Sequence, residues 1–131
     1  MNDVSVQVTN HVRARVLAAF PSCLVTTGAV RGQEATLPAL LLRFAFPEDV
    51  ASARDSSGEE VLTRMTCTAE AFSGTSGREA RAILAVADDA MRECGLRRSN
   101  WSEIPDADPS VHRFTATWRA CVDRHGVTSS W

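Results

Sequence analysis

Three histidines, His11, His112 and His125, and the carboxylates Asp88, Asp89 and Glu93 are the residues of this chain best suited to proton transfer or metal ligation. A histidine exchanges a proton near neutral pH, and a metal site needs several histidine, cysteine or carboxylate donors at regular spacing. The histidines fall on separate predicted elements and lack such spacing to any cysteine or acid, so metal binding is not expected. Asp89 and Glu93 stand one helical turn apart, opposite Ile83, Leu84 and Met91. These acids are therefore read as a solvated helix face rather than a catalytic pair. The stretch SGTSGR, residues 73–78, has the glycines and helix start of a phosphate cradle but no P-loop lysine. A strand-to-helix turn accounts for those glycines equally well. No G-x-S-x-G, H-E-x-x-H or Walker sequence occurs, and no serine has an evident histidine and acid partner. The residues predict no catalytic group, no metal and no cofactor.

The elements that would position any site come from a chain of 131 residues with 44% hydrophobic content, enough for one domain with a single core. All 14 basic residues are arginines, against 16 acids, for a net charge of -2. That balance offers no basic field for autonomous nucleic-acid binding, while arginine supplies planar bidentate donors suited to contacts between subunits. Cys23, Cys67, Cys94 and Cys121 form no C-x-x-C pair and sit in or beside apolar runs, and they read as buried free thiols. With no signal peptide, lipidation motif or long apolar run, the chain is expected to be soluble and intracellular.

A helix is predicted over roughly residues 4–19, with Val12, Val16, Leu17 and Phe20 as its apolar stripe, Asn2 or Asp3 as its cap, and Pro21 as its stop. The apolar runs 22–30 and 37–46, separated by RGQEAT, suit a hairpin. Residues 47–60 show neither helical nor strand periodicity and read as a long mobile loop. Val61, Met65, Cys67, Ala69 and Ala71 then alternate with Arg64, Thr66, Thr68 and Glu70, the pattern of a half-buried strand. Ser76 and Glu79 stand at capping-box spacing before a helical stripe of Ile83, Leu84, Ala87, Met91 and Cys94, and Gly95 ends it. Residues 96–105 read as a strand. From His112 to Asp123, Phe114, Ala116, Trp118, Ala120 and Val122 point inward and alternate with Arg113, Thr115, Thr117, Arg119 and Cys121. The tail can add a short edge piece ending on Trp131.

The sum is an α+β fold, a largely antiparallel sheet of four to five strands with two helices packed on one face. The threonine- and arginine-bearing face is left to water or to another subunit. Trp101, between polar residues, and Trp131, at the end of the chain, are candidate interface anchors, with plain intramolecular packing as the alternative. These features describe an interaction protein without naming its partner.

A resemblance supplies one. Residues 71–123, AFSGTSGREARAILAVADDAMRECGLRRSNWSEIPDADPSVHRFTATWRACVD, resemble the tail terminator, or tail completion, proteins of long-tailed bacteriophages, a group of minor capsid and head-tail joining components. The likeness is a succession of features: the polar SGTSGREA turn, the helix ending ILAVADDAMRECGLRR, and the proline-acidic turn before a strand ending in an arginine-rich aromatic pattern. VRARVLAAFPS and LPALLLRFAF match the family's first helix and its proline-led strand. LTRMTCTAEAF departs from it, with no tyrosine anywhere in the chain, and leaves open a phage, a prophage-derived particle or a gene-transfer agent.

The resemblance implies a homohexameric ring in the virion neck, assembled in the bacterial host cytoplasm, with the tail-tube protein and the head connector as partners. DNA would pass through its lumen without specific binding. Arg97, Arg98, Trp101, Arg113, Thr115, Thr117, Arg119 and Trp131 are the candidate contact residues for neighbouring subunits or the tube. Glu48, Asp49, Arg54, Asp55, Glu59 and Glu60 form the candidate lumen or tube-contact loop, acidic enough to let DNA slide. A head-closure or other neck protein is the nearest alternative. A small ligand-binding or enzymatic domain using His112 and Trp118 is the alternative of another class.

Overall fold

The long helix that Val8, Val12 and Val16 predict forms as α1, Ser5–Ala19, with those three valines buried. The computed structural model describes residues 3–27, 37–45, 62–105, 108–123 and 128–129. After α1 come β1 (Leu24–Thr26), β2 (Ala39–Ala45), β3 (Leu62–Ser73), α2 (Gly77–Glu93), β4 (Arg97–Ile104), β5 (His112–Asp123) and β6 (Thr128–Ser129). The sheet order is β1-β2-β3-β5-β4, with β6 paired to β5. All pairings are antiparallel except β1 with β2, so the fold is α+β with a mostly antiparallel sheet.

That exception corrects the expected hairpin. Leu24 pairs with Ala39 and Thr26 with Leu41, so the two runs lie parallel, joined through residues 27–38. A tight turn cannot join parallel strands, which need a crossover of about a dozen residues. Two smaller expectations at α1 also change. Val4 is the N-cap and makes no side-chain cap bond, while the Asp3 carboxylate accepts from the Ser5 amide (2.8 Å). Leu17 is 37% exposed and lies off the apolar stripe.

The sheet has two faces of different chemistry, fixed by the period of two along each strand. The inward row of β5 is Phe114, Ala116, Trp118, Ala120 and Val122, all buried, and β3 contributes Met65, Cys67, Ala69 and Ala71. These belong to one core cluster with Leu40 and Leu42 of β2 and the buried residues of both helices. Size is distributed unevenly in it. Trp118 lies opposite Cys67, with Met65 and Ala69 diagonal to it and Ala116 and Ala120 two places away on its own strand. Mostly small neighbours leave the room that an indole needs at close-packed density. Ala80, Ala87 and Ala90 of α2 are likewise fully buried, which lets that helix sit close to the sheet.

Both ends of α2 follow their sequence signals. The Ser76 hydroxyl accepts from the Glu79 amide (3.1 Å), and the Ser73 hydroxyl accepts from the Thr75 and Ser76 amides while donating to the Glu79 carboxylate (2.7 Å). Four groups at the helix start are satisfied by two serines and an acid. At the other end Gly95 has φ +85, and a Cβ there would collide with the Thr128 side chain. The Thr128 hydroxyl donates to the Cys94 carbonyl, so β6 is clipped to the end of α2. Gly95→Ala should therefore destabilise the fold by at least about 1–2 kcal/mol, the cost of a left-handed alanine before any clash is counted. A urea midpoint equal to the parent's would contradict this.

Candidate functional site

The face of the sheet opposite the core is where most of the candidate contact residues fall. By register its outward positions are Arg43 on β2, Arg64, Thr66, Thr68, Glu70 and Phe72 on β3, Arg113, Thr115, Thr117, Arg119 and Asp123 on β5, and Arg97, Asn100, Ser102 and Ile104 on β4. β4 reaches this face through an irregularity at Ser99, which shifts the register between Arg98 and Asn100.

Glu70 organises one half of the face. Its side chain is only 8% exposed, and each oxygen holds one guanidinium: Oε1 accepts from Arg43 and Oε2 from Arg113, both at 2.8 Å. Arg113 also lies over the Phe72 ring, 5.3 Å from its centroid. A buried carboxylate with a planar donor on each side ties β2 to β5 across β3. Arg113, a candidate contact residue, is thus committed within its own chain. Thr115 is corrected in the same way: it is buried, and its hydroxyl donates to the Ala69 carbonyl (3.1 Å). Thr117 is half-buried, with its hydroxyl 3.4 Å from that of Thr68. Arg97 and Arg119 are exposed and directly opposite each other.

Arg98 and Trp101 lie on the other side. They pair with Trp118 and Ala116, which places them on the core face, and Trp101 packs half-buried against the core cluster. The Arg98 guanidinium sits 5.1 Å from the Trp101 ring centroid and donates to Asp88 Oδ2 (3.2 Å). Asp88 is the residue that sequence reasoning misplaced. It is 4% exposed, its Oδ1 accepts from Trp118 Nε1 (2.8 Å), and Oδ2 also accepts from Arg92 (3.0 Å). The signal was present: a core tryptophan needs an acceptor for its N–H, and Asp88 lies one turn from both Leu84 and Met91.

Glu93 is exposed as expected, yet it has partners. It pairs with Arg15 and accepts from His11 Nε2 (3.1 Å), joining α2 to α1. The His11 hydrogen bond, with Arg15 beside it, holds the Glu93 carboxyl below its ordinary value of 4.5. A lowered carboxylate pKa contributes stability above the unfolded value, lost as pH falls through the folded one. Glu93→Gln should accordingly flatten the fall in melting temperature as the pH drops below about 4.5. A slope identical to the parent's would remove this pair from the account of acid unfolding.

The remaining reactive groups do not converge. Cys23, Cys67 and Cys121 are buried free thiols, as expected, and Cys94 is half-buried. Burial pushes the Cys67 thiol up to about 12, and burial with the nearby Glu79 charge pushes Cys23 to about 11, so neither forms a nucleophilic thiolate at neutral pH. His112 and Trp118, the pair considered for a ligand pocket, differ in setting. Trp118 is fully buried on Asp88, and His112 is half-buried opposite Ser73 at the far end of β5. Among the described residues no group of three His, Cys, Asp or Glu side chains is placed to hold a metal, and no helix is long and apolar enough to cross a membrane. Glu48, Asp49, Arg54, Asp55, Glu59, Glu60 and Trp131 lie outside the described residues, as does the loop predicted over 47–60. A scan against protein-family models finds no match for this chain, and a search of curated proteins finds none.

Proposed function

We propose that this chain is the subunit of a tail-terminator ring, which caps the head-proximal end of a phage-type tail tube, stops its polymerisation and presents a surface to the head connector. The role is structural and lies in the virion neck, and no reaction is assigned to it. The observation that carries the reading is the sheet face opposite the core, where exposed Arg97 of β4 lies across from exposed Arg119 of β5, and β4 is the outer strand on that side among the described residues. A closed ring needs two different patches on each subunit that meet head to tail, and a charged sheet face and a sheet edge are such patches. The stretch that carries the resemblance, 71–123, runs through the end of β3, α2, β4 and β5, which pack as neighbours. It is therefore one contiguous structural unit.

The test is elongation of purified tail-tube subunits with and without this protein. Tubes should stop growing at a length set by the time of addition, and an unchanged length distribution would sink the terminator reading. Deleting residues 49–57 should leave the melting temperature near that of the parent and abolish capping. Loss of folding in that variant would instead make the segment part of the domain's structure.

A further inference from the structure

We propose that the cleft between α1 and the ends of β1 and β2 binds a small carboxylate carried on an apolar body, with Arg13 holding the charge and Phe44 the body. This goes beyond the ring reading above and uses a different part of the subunit.

The cleft lies where the sheet narrows. β1 ends at Thr26, opposite Leu41, while β2 runs on to Ala45. The space past the end of β1, bounded by α1, measures about 340 Å³ and is partly open to solvent. That is the small end of the range for ligand pockets, about 300 to 1,000 Å³. Its helical wall is the row Ser5, Thr9 and Arg13, spaced by four residues and flanking the buried stripe of Val8, Val12 and Val16. Asn10 and Thr27 add an amide and a hydroxyl. The apolar part is Phe44, which shares the core-facing side of β2 with Leu40 and Leu42 but is only half-buried, together with Val6, which is 67% exposed. Convergent polar groups beside an apolar surface are the make-up of a small-molecule site.

Charge selects the ligand. Among the described residues Arg13 is the one cation lining the cleft, and no acid lines it. The Arg13 hydrogen bond within the chain, from Nη2 to the Val25 carbonyl, is 3.4 Å long, beyond the usual limit of about 3.2 Å. That weak tie fixes the guanidinium beside β1 and leaves most of its planar fork for a second acceptor. A fork of this kind matches a carboxylate, and one positive charge suits one negative charge better than a phosphate dianion. The far end of the row is closed to anions, because the Asp3 carboxylate already accepts from the Ser5 amide. Ser5 and Arg13 are roughly 12 Å apart along the helix axis at a rise of ~1.5 Å per residue. Repulsion from Asp3 therefore directs an incoming carboxylate to Arg13, and the apolar body then lies along Phe44 with the Thr9 and Asn10 side chains beside it.

The probe is hydrocinnamate, with hydrocinnamyl alcohol as the same body without the charge, each titrated into the isotope-labelled full-length chain and followed by backbone amide shifts. Saturable shifts should map to Val6, Asn10, Thr27 and Phe44. Hydrocinnamate should bind at least about tenfold more tightly than the alcohol, the contribution expected of a charge-assisted hydrogen bond. Arg13→Gln should bring the acid down to the affinity of the alcohol and leave the alcohol unchanged, whereas Phe44→Leu should weaken both by a similar factor. If Arg13→Gln fails to fold by circular dichroism, Arg13→Lys replaces it, and the loss of the planar fork should reduce the preference for the acid without abolishing it. Equal affinity of acid and alcohol in the parent overturns the proposal. So does a preference that survives Arg13→Gln, or one that Arg13→Lys leaves at full strength. Shifts that map to another face, or no saturable shift at any residue, overturn it as well. None of these outcomes alters tube capping, so the ring reading is tested separately.

Discussion

Replacing Trp118 by alanine should lower the stability of the domain by about 3 to 5 kcal/mol, the range for removing a large aromatic side chain from a packed interior. Its indole is fully buried. Of its register neighbours, Cys67, Ala69, Ala116 and Ala120 are too short to refill the space, and Met65 alone cannot replace an indole. The truncation also strips a donor from Asp88 Oδ1, adding an incompletely satisfied buried carboxylate to the cavity. Against a typical total of about 5 to 15 kcal/mol, most of the margin is at stake. The check is a urea titration, in which the midpoint should fall with little change in slope. Trp118→Phe separates the two contributions, since it keeps most of the volume and removes only the N–H. A cost below about 1 kcal/mol for the alanine variant would mean that α2 can collapse onto the sheet, against the close packing described here.

The second large effect is expected from Asp88→Ala, at about 2 to 3 kcal/mol. Removing one partner of a buried charge network costs more than the network contributes, because the groups left behind remain desolvated. Here the groups differ. Trp118 Nε1 is buried and loses its acceptor outright, whereas the Arg92 and Arg98 side chains are 65% and 42% exposed and recover water. That difference keeps the expected loss below the range for a fully buried pair. Asp88→Asn retains an acceptor for the indole and should cost less. In a double-mutant cycle, Asp88→Ala with Trp118→Phe should give clear coupling, and strict additivity would show that the short Nε1 contact contributes nothing. Because Arg98 is also released, amide exchange along β4 should quicken in the Asp88 variants but not in Trp118→Phe.

The elements with one strong period were legible from residues alone. β5 alternates without interruption from Phe114 to Val122, and α2 carries a cap, a stripe and a terminal glycine, so local chemistry and burial agree. What escaped was pairing and partnership. Two apolar runs of modest length say that strands exist but not which way they run, and the segment between β1 and β2 is long enough to permit the parallel pairing observed. Asp88 was read as solvated because a carboxylate beside Asp89 on a helix usually is. Its burial depends on Trp118 and Arg98, which arrive from strands far along the chain. The outward row of β5 was placed on the correct face, yet which of its members remain exposed was decided by Glu70 and Ala69 on β3. Such cross-strand partners follow from register, which no local pattern encodes.

The order β1-β2-β3-β5-β4 has a consequence for synthesis. β3 pairs with β5 along its whole length, but α2 and β4 lie between them in the chain. During translation β3 therefore emerges with one long edge unpaired, and it stays so until His112–Asp123 has left the ribosome. An unpaired edge of that length invites pairing with another nascent chain. Truncated products ending before His112 should accumulate as insoluble material. The edge is covered only once β5 is made and pairs with β3, a non-local contact that must first meet the entropy of closing the intervening α2 and β4.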